Sequence, residues 1–105
     1  VKEISSMELT SKQRAYLKGL ASTLNATFQV GKASLTPELT KAVDESLLKN
    51  ELVKIAVLKN CLDDPGEIAQ MIAERTHAEV VQVIGKKFVL YRPDKEKPRI
   101  VLPRA

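Results

Sequence analysis

One segment of the 105-residue chain constrains the fold more than any other, the run LVKIAVL from Leu52 to Leu58. Apolar and β-branched residues fill it almost without interruption, which is typical of a central strand covered on both faces. Such a strand needs a sheet around it and helices over that sheet. The run therefore predicts an α/β domain.

A first helix is predicted before this strand. Thr10 or Ser11 can cap it by accepting a hydrogen bond from an otherwise unpaired N–H, and Asn25 is expected to end it. Apolar residues recur at spacings of three and four, which predicts one buried stripe. The stripe consists of Tyr16, Leu17, Leu20, Ala21 and Leu24.

Two further helices have clear start signals. Thr36 as N-cap and Pro37 at the first helical position begin the second helix, which is expected to end at Asn50. Asp64 as the cap, with Glu67 three residues later, begins the third in an arrangement like a capping box. The predicted core positions of these helices are Leu39, Ala42, Val43, Leu47, Ile68, Met71 and Ile72.

Three more segments resemble strands: Ala26–Val30, Glu79–Ile84 and Phe88–Tyr91. Gly85 lies at the first position of the loop between the last two, which predicts a hairpin with a type II′ or slightly longer turn. The predicted order is α-β-α-β-α-β-β, a mixed sheet of about four strands packed with three helices. Strand-helix-strand steps favour parallel neighbours, and the hairpin adds an antiparallel pair.

The charge balance favours a polyanionic partner. Lys and Arg number 17 against 13 Asp and Glu, a net charge of +4, which suits a nucleic acid or a membrane surface. No stretch has the ~20 apolar residues of a membrane span. Cys61 is the one cysteine, and a lone thiol fits a reducing compartment, so we expect a cytoplasmic protein.

The two ends of the chain are expected to lie outside the domain. Residues 1–6 are interpreted as an expression remnant, with Met7 as the natural start and residues 7–92 as the domain. Residues 93–105 carry three of the five prolines and form a tail. Its segment Ile100–Leu102 is apolar and could add an edge strand or pack on the sheet.

The loop between the first strand and the second helix is the main candidate site. Gly31 lets a backbone approach closely or takes a positive φ, and Lys32 adds a cation beside a helix N-terminus. Free N–H groups there favour an anion such as a nucleic-acid phosphate. The same residues also suit a plain strand-to-helix turn, and the local sequence leaves both interpretations open.

An ordered set of short motifs carries a resemblance to a known family. These motifs are Leu9-Thr10-x-Lys12-Gln13-Arg14-x-x-Leu17, Phe28-Gln29-Val30-Gly31-Lys32, Glu51-Leu52-x-Lys54 and Ile84-Gly85-x-x-x-Val89-Leu90-Tyr91-Arg92. Together they resemble the CRM domain (chloroplast RNA splicing and ribosome maturation) in its stand-alone bacterial form, the YhbY-like proteins. The resemblance covers about residues 9–92.

This resemblance implies both a fold and a function. The implied fold is like the C-terminal domain of bacterial translation initiation factor three. The implied function is binding of RNA, with association to precursors of the large ribosomal subunit. The family's loop usually reads Gly-x-x-Gly, as in a clamp on a nucleotide backbone. Here it reads Gly31-Lys32-Ala33-Ser34, so Ser34 is expected to offer its hydroxyl or its N–H to a phosphate.

Two other basic surfaces are candidate RNA contacts. Lys12, Arg14 and Lys18 lie off the apolar stripe of the first helix, and Lys41 is on the second. If that face adjoins the Gly31 loop, the two form one cationic groove. A weaker patch lies at and after the terminal hairpin, and it consists of Lys86, Lys87 and Arg92. A charged hairpin tip can also serve only solubility or edge protection.

Base stacking has few candidates. Tyr16, Phe28 and Phe88 are at core-like positions, and Tyr91 is the one aromatic expected to be partly free. Recognition of shape and backbone is therefore favoured over recognition of base sequence.

The sequence contains no assembled catalytic or metal-binding set. Cys61 and His77 have no second cysteine or histidine beside them, so we expect no metal, no cofactor, no small-molecule substrate and no enzymatic activity. The preferred interpretation is a monomeric RNA-binding module acting on ribosomal RNA during assembly of the large subunit. The alternative is a protein-interaction module that docks on a ribosomal protein or assembly factor through the sheet edge or the tail.

Overall fold

The computed structural model describes residues 10–93, and these have the predicted order of elements. The elements are α1 (Ser11–Ala21), β1 (Phe28–Val30), α2 (Pro37–Asn50), β2 (Leu52–Val57), α3 (Pro65–Thr76), β3 (Glu79–Ile84) and β4 (Lys87–Tyr91). The expectations for residues 1–6 and for an added strand near residues 100–102 fall outside the described range.

The four strands form one mixed sheet in the order β1-β2-β4-β3. β1 runs parallel to β2, while β4 pairs antiparallel with both β2 and β3. β2 is thus an interior strand, as its apolar run predicts. The β3–β4 pairing contains an irregularity between Val80 and Gln82. Gly85 has φ +57° in the intervening turn and Lys86 does not share a positive φ, as in a type II′ turn.

The two faces of the sheet carry separate cores. The larger core joins α2 and α3 to the sheet through Ile55, Phe88 and Leu90. The smaller core joins Leu17 and Ala21 of α1 to the opposite face. Alternate residues along a strand point to opposite faces, so β4 serves both cores. The sheet residues of the smaller core are Leu52, Val81, Val89 and Tyr91.

The helix starts are as predicted from the sequence. At α1, Thr10 is the N-cap, and its hydroxyl accepts from the Gln13 N–H while the Gln13 side chain accepts from the Thr10 N–H. Thr36 accepts from the Leu39 N–H at 3.1 Å. Asp64 caps α3, accepting from the Glu67 N–H at 3.2 Å.

The apolar stripe predicted for α1 is largely wrong. Tyr16, Leu20 and Leu24 are 43%, 36% and 37% exposed, whereas Leu17 and Ala21 are fully buried. α1 is the one described helix on its face of the sheet, so only a narrow line of the helix is covered. Met71 of α3, predicted as core, is also exposed.

Several predicted boundaries are off by a few residues. α1 ends at Ala21 with Ser22 as its C-cap rather than at Asn25. β1 begins at Phe28 instead of Ala26, because pairing with β2 begins there. β2 ends at Val57 and β4 begins at Lys87.

The prediction for the two tyrosines is reversed. Tyr91 is 1% exposed inside the smaller core, and Tyr16 is the exposed one. Burial raises the pKa of the Tyr91 hydroxyl above its ordinary value of 10.0, and the negative charge of Glu51 raises it further. Tyr91 is therefore a core residue and no stacking platform.

Arg92 is a structural residue, which corrects its assignment to the RNA-binding surface. Its Nη1 donates to Asp44 Oδ1 at 2.5 Å and to the Thr76 carbonyl at 2.5 Å, and its Nη2 donates to the Asp44 carbonyl at 3.0 Å. One side chain thus joins α2, the end of α3 and the end of β4. Three of its five guanidinium N–H groups are thus used inside the fold.

We expect Arg92→Ala to lower the free energy of unfolding by about 1–3 kcal/mol, because charge-assisted hydrogen bonds to two helices are lost. Urea denaturation measures the change. Lys49→Ala, at an exposed cation of α2, is the control and should shift stability by less than about 0.5 kcal/mol. Equal effects of the two substitutions would contradict this role for Arg92.

The pKa of Tyr91 predicts a loss of stability at high pH. Because the folded-state pKa is raised, the protonated hydroxyl contributes stability that is complete below about pH 10 and is lost as the pH rises through the folded-state value. Unfolding free energy measured from pH 8 to about 11 should therefore fall more steeply in the unsubstituted protein than in Tyr91→Phe. Tyr16→Phe, at an exposed site, should follow the unsubstituted protein. Parallel curves for all three proteins would refute the assignment.

Candidate nucleic-acid interface

Three loops meet at one end of the sheet. The parallel strands β1 and β2 both end there, and the antiparallel strand β4 begins there. The Leu58 N–H donates to the Val30 carbonyl at 2.8 Å, and the Val57 N–H donates to the Lys86 carbonyl at 2.6 Å. These bonds hold the β1–α2 loop, the β2–α3 loop and the β3–β4 turn side by side.

Four exposed lysines lie in or directly beside these loops, and we call them the basic edge: Lys32, Lys59, Lys86 and Lys87. Lys32 follows β1, Lys59 follows β2, Lys86 lies in the β3–β4 turn and Lys87 is the first residue of β4. The strand order places them in a row that crosses two inter-strand steps, about 10 Å. The predicted sites Lys32, Lys86 and Lys87 are therefore brought together by the fold.

No pattern in the sequence singled out Lys59 as a candidate contact. It lies in the turn that directly follows β2, among residues with no motif of their own. The available signal was topological, because residues after neighbouring parallel strands must lie at the same edge of a sheet.

Ser34 has a different role from the one expected. Its N–H donates to the Gly31 carbonyl at 2.9 Å, and its hydroxyl donates to the Asp63 carboxylate. Both groups proposed for a phosphate are thus engaged within the protein. Ser34 also has φ +58°, a left-handed conformation that glycine adopts without strain. The geometry explains why a Gly-x-x-Gly loop has glycine at this position.

Gly31 does not need a positive φ, contrary to one of the two reasons expected for it. The described glycine with a positive φ is Gly85. A Cβ on Gly31 would lie 3.6 Å from Asn60 Oδ1 and 3.7 Å from a Leu58 methyl carbon, which is ordinary contact. Neither backbone strain nor packing demands glycine here, and close approach of a ligand stays a prediction.

Charges of both signs are present at this end of the molecule. Both α2 and α3 begin here with an acidic residue in the first turn, Glu38 and Glu67, and Asp63 and Asp64 precede α3. Asp63 accepts from the Ser34 hydroxyl, so one carboxylate lies at the Gly31 loop itself.

The basic residues of α1 do not join the Gly31 loop. The Arg14 guanidinium donates to the Val80 carbonyl and, at 3.3 Å, to the Val81 carbonyl of the edge strand β3. Val80 aligns through Leu90 with Val53, whereas the Gly31 loop begins level with Val57. The two places are separated by about 13 Å along the strands, so the continuous groove through Arg14 is wrong.

Lys12, Lys18 and Lys41 remain exposed cations away from the basic edge. Lys12 lies in the first turn of α1, and Lys18 lies in the last turn of the same helix. Lys41 lines a shallow cavity with Asp44 and Arg75. Arg14 lines an open cavity of about 610 Å³ whose charged groups are of both signs, with Glu74 and Glu79 among them.

Other site types find no support in the part of the chain that the structure describes. Residues 10–93 contain no group of three histidine, cysteine or acidic side chains that could hold a metal ion. No helix among them is long and apolar enough to span a bilayer.

Comparison with known proteins identifies the family. Residues 9–92 match the model of the CRS1/YhbY (CRM) domain. The chain therefore belongs to this family, in agreement with the sequence motifs.

Two of the relatives are of similar length. "Probable RNA-binding protein YqeI" of Bacillus subtilis is 38% identical over 95 residues, which cover 90% of this chain and 99% of that protein. A Haemophilus influenzae protein named "RNA-binding protein" is 38% identical over 96 residues, 91% of this chain and 96% of its own length. The solution structure of the hypothetical protein SAV1595 from Staphylococcus aureus superposes with a TM-score of 0.77 at 43% identity, covering 91% of this chain and all of that one.

The left-handed conformation of Ser34 predicts an order of stabilities for two variants. Ser34→Gly and Ser34→Ala both lose the hydrogen bond to Asp63, but alanine keeps the backbone strain that glycine relieves. Ser34→Gly should therefore be more stable than Ser34→Ala by about 1 kcal/mol in urea denaturation. Equal stabilities would show that this backbone conformation is not imposed in solution.

Proposed function

We propose that this protein binds the phosphate backbone of RNA at the basic edge, and that it acts without catalysis. The observation that carries the proposal is the row of exposed lysines brought together by three loops of one sheet end. Membership of the CRM family and the RNA-binding names of two relatives support it. Gly31 adds a backbone without a side chain beside Lys32, where a phosphate approaches closely.

The proposed partner is ribosomal RNA in precursors of the large ribosomal subunit. The resemblance to YhbY-like proteins supports this choice, and the mode of binding suits it. Contacts to phosphates report backbone shape rather than base sequence, so structured RNA of defined shape is the fitting target. In this role the protein is a chaperone or placeholder during assembly.

Charge reversal at the basic edge tests the proposal. We expect Lys32→Glu and the pair Lys86→Glu/Lys87→Glu to weaken binding to ribosomal RNA fragments. Each lost phosphate contact should also reduce the slope of log affinity against log salt by about 0.7–0.9, because fewer counterions are released. Fluorescence anisotropy over a salt series gives both quantities.

Lys49→Glu is the matched control, with the same charge change on the last turn of α2, away from the basic edge. It should leave the salt slope within error of the unsubstituted protein. Unchanged affinity in the Lys32 and Lys86/Lys87 variants, or losses as large in Lys49→Glu, would refute the basic edge as the site.

The ribosomal partner needs a separate measurement. Ultraviolet crosslinking in cells, followed by sequencing of the attached RNA, should recover large-subunit ribosomal RNA preferentially. The yield should fall in the Lys32→Glu variant. Recovery of unrelated RNA in proportion to abundance would overturn the ribosomal assignment while leaving RNA binding intact.

A further inference from the structure

The sheet face that carries α1 has an uncovered strip beside the basic edge. Strand register aligns Gln29 with Ala56, Ala56 with Lys87, and Lys87 with Ile84. These four residues, which we call the open strip, cross all four strands on one face. Gln29 and Lys87 are exposed, and Ile84 is 64% exposed.

α1 leaves the open strip uncovered because it packs on the other half of the same face. Its buried residues meet Leu52, Val81, Val89 and Tyr91. The next row of residues toward α1 on this face consists of Lys54, Val89 and Gln82. The open strip and this row together form a flat surface, which we call the shelf, and α1 rises about 10 Å above it along one side.

The charges on this shelf have one sign. Lys87 in the strip and Lys54 in the next row are cations, and neither row contains a carboxylate. Among the described strand residues of this face, the acidic one is Glu79, which aligns with Tyr91 at the far end of the sheet. An acidic protein surface or a polyanion fits such a shelf, and its continuity with the basic edge through Lys87 favours the polyanion already bound there.

We infer that the open strip receives the unpaired bases of a single-stranded RNA segment whose phosphates lie on the basic edge. Ile84 and Ala56 would contact the base faces, and Gln29 and Lys87 would donate hydrogen bonds to base edges or riboses. The inference rests on the proposed function and adds the class of RNA, a single strand.

The geometry favours a single strand over a duplex. In a duplex the bases face inward and present only their edges in the grooves, whereas single-stranded bases can lie flat on a sheet. The open strip is a sheet surface, and none of its four residues is aromatic. Base contact is therefore apolar and polar rather than stacked, which suits weak sequence preference.

Ile84→Ser tests the open strip, because it removes an apolar contact at a largely exposed position without adding a charge beside Lys87, with which Ile84 is aligned. Affinity for a single-stranded 12-nucleotide RNA should fall about three- to fivefold, because apolar area is no longer buried against a base. Affinity for a perfectly paired RNA duplex of equal length should change less than about twofold. Leu48→Ser on α2, where the leucine is 61% exposed, is the matched control and should bind both RNAs as the unsubstituted protein does.

The Lys32→Glu variant separates this inference from the proposed function. If Lys32→Glu weakens binding and Ile84→Ser does not, the open strip is wrong and the basic edge stands. If neither weakens binding, the proposed RNA site itself fails. Equal losses for single strand and duplex would also overturn the inference.

A second measurement keeps the test independent of folding of the variants. Backbone amide shifts of the unsubstituted protein, followed by NMR during addition of the single strand, should move at Gln29, Ala56, Ile84 and Lys87. Shifts confined to α2 and α3 would overturn the inference. Addition of the duplex should move the amides of the Gly31 loop and of Lys87 without those of Gln29, Ala56 and Ile84.

Discussion

The parallel pairing of β1 with β2 is the constraint on which the rest of the structure depends. It places the carboxyl ends of two strands at the same edge, so that the loops after them become neighbours although they are about 30 residues apart in the chain. The Leu58 to Val30 hydrogen bond extends this pairing one step beyond the strands. Ser34 and Asp63 then join the two loops directly. Without that register, Lys32 and Lys59 would be unrelated surface residues.

The same pairing brings carboxylates and lysines to one edge. Helices that follow parallel strands begin at the strands' carboxyl edge, and helix starts select capping and acidic residues such as Asp64 and Glu67. Lys32 and Lys59 lie on the turns that leave the strands. Lys87 connects these loops to an exposed part of the sheet.

Unequal coverage of the two faces is the second consequence of the fold. Two helices cover one face and bury a large core, while α1 is the one helix within residues 10–93 on the other face and covers half of it. Arg14, which resembles an RNA contact in the sequence, instead donates to carbonyls of the edge strand β3, and such edges otherwise attract other strands. Arg92 joins two helices to the end of β4. Both arginines show that a basic residue singled out in the sequence can be engaged by the fold itself.

The sequence by itself determined the element order, the helix starts and the family. These depend on local chemistry: Thr36 followed by Pro37, or Asp64 followed three residues later by Glu67, specifies a helix start wherever it occurs. Strand registers, the ends of α1 and β1, and the burial of Tyr91 rather than Tyr16 were decided by tertiary structure, because each depends on which partner covers a residue. The candidate site divides in the same way. The sequence singles out the Gly31–Ser34 loop and the lysines at residues 86 and 87, whereas Lys59, the open strip and the internal hydrogen bonds of Arg14 and Arg92 follow only from the register of the strands and the packing of the helices on them.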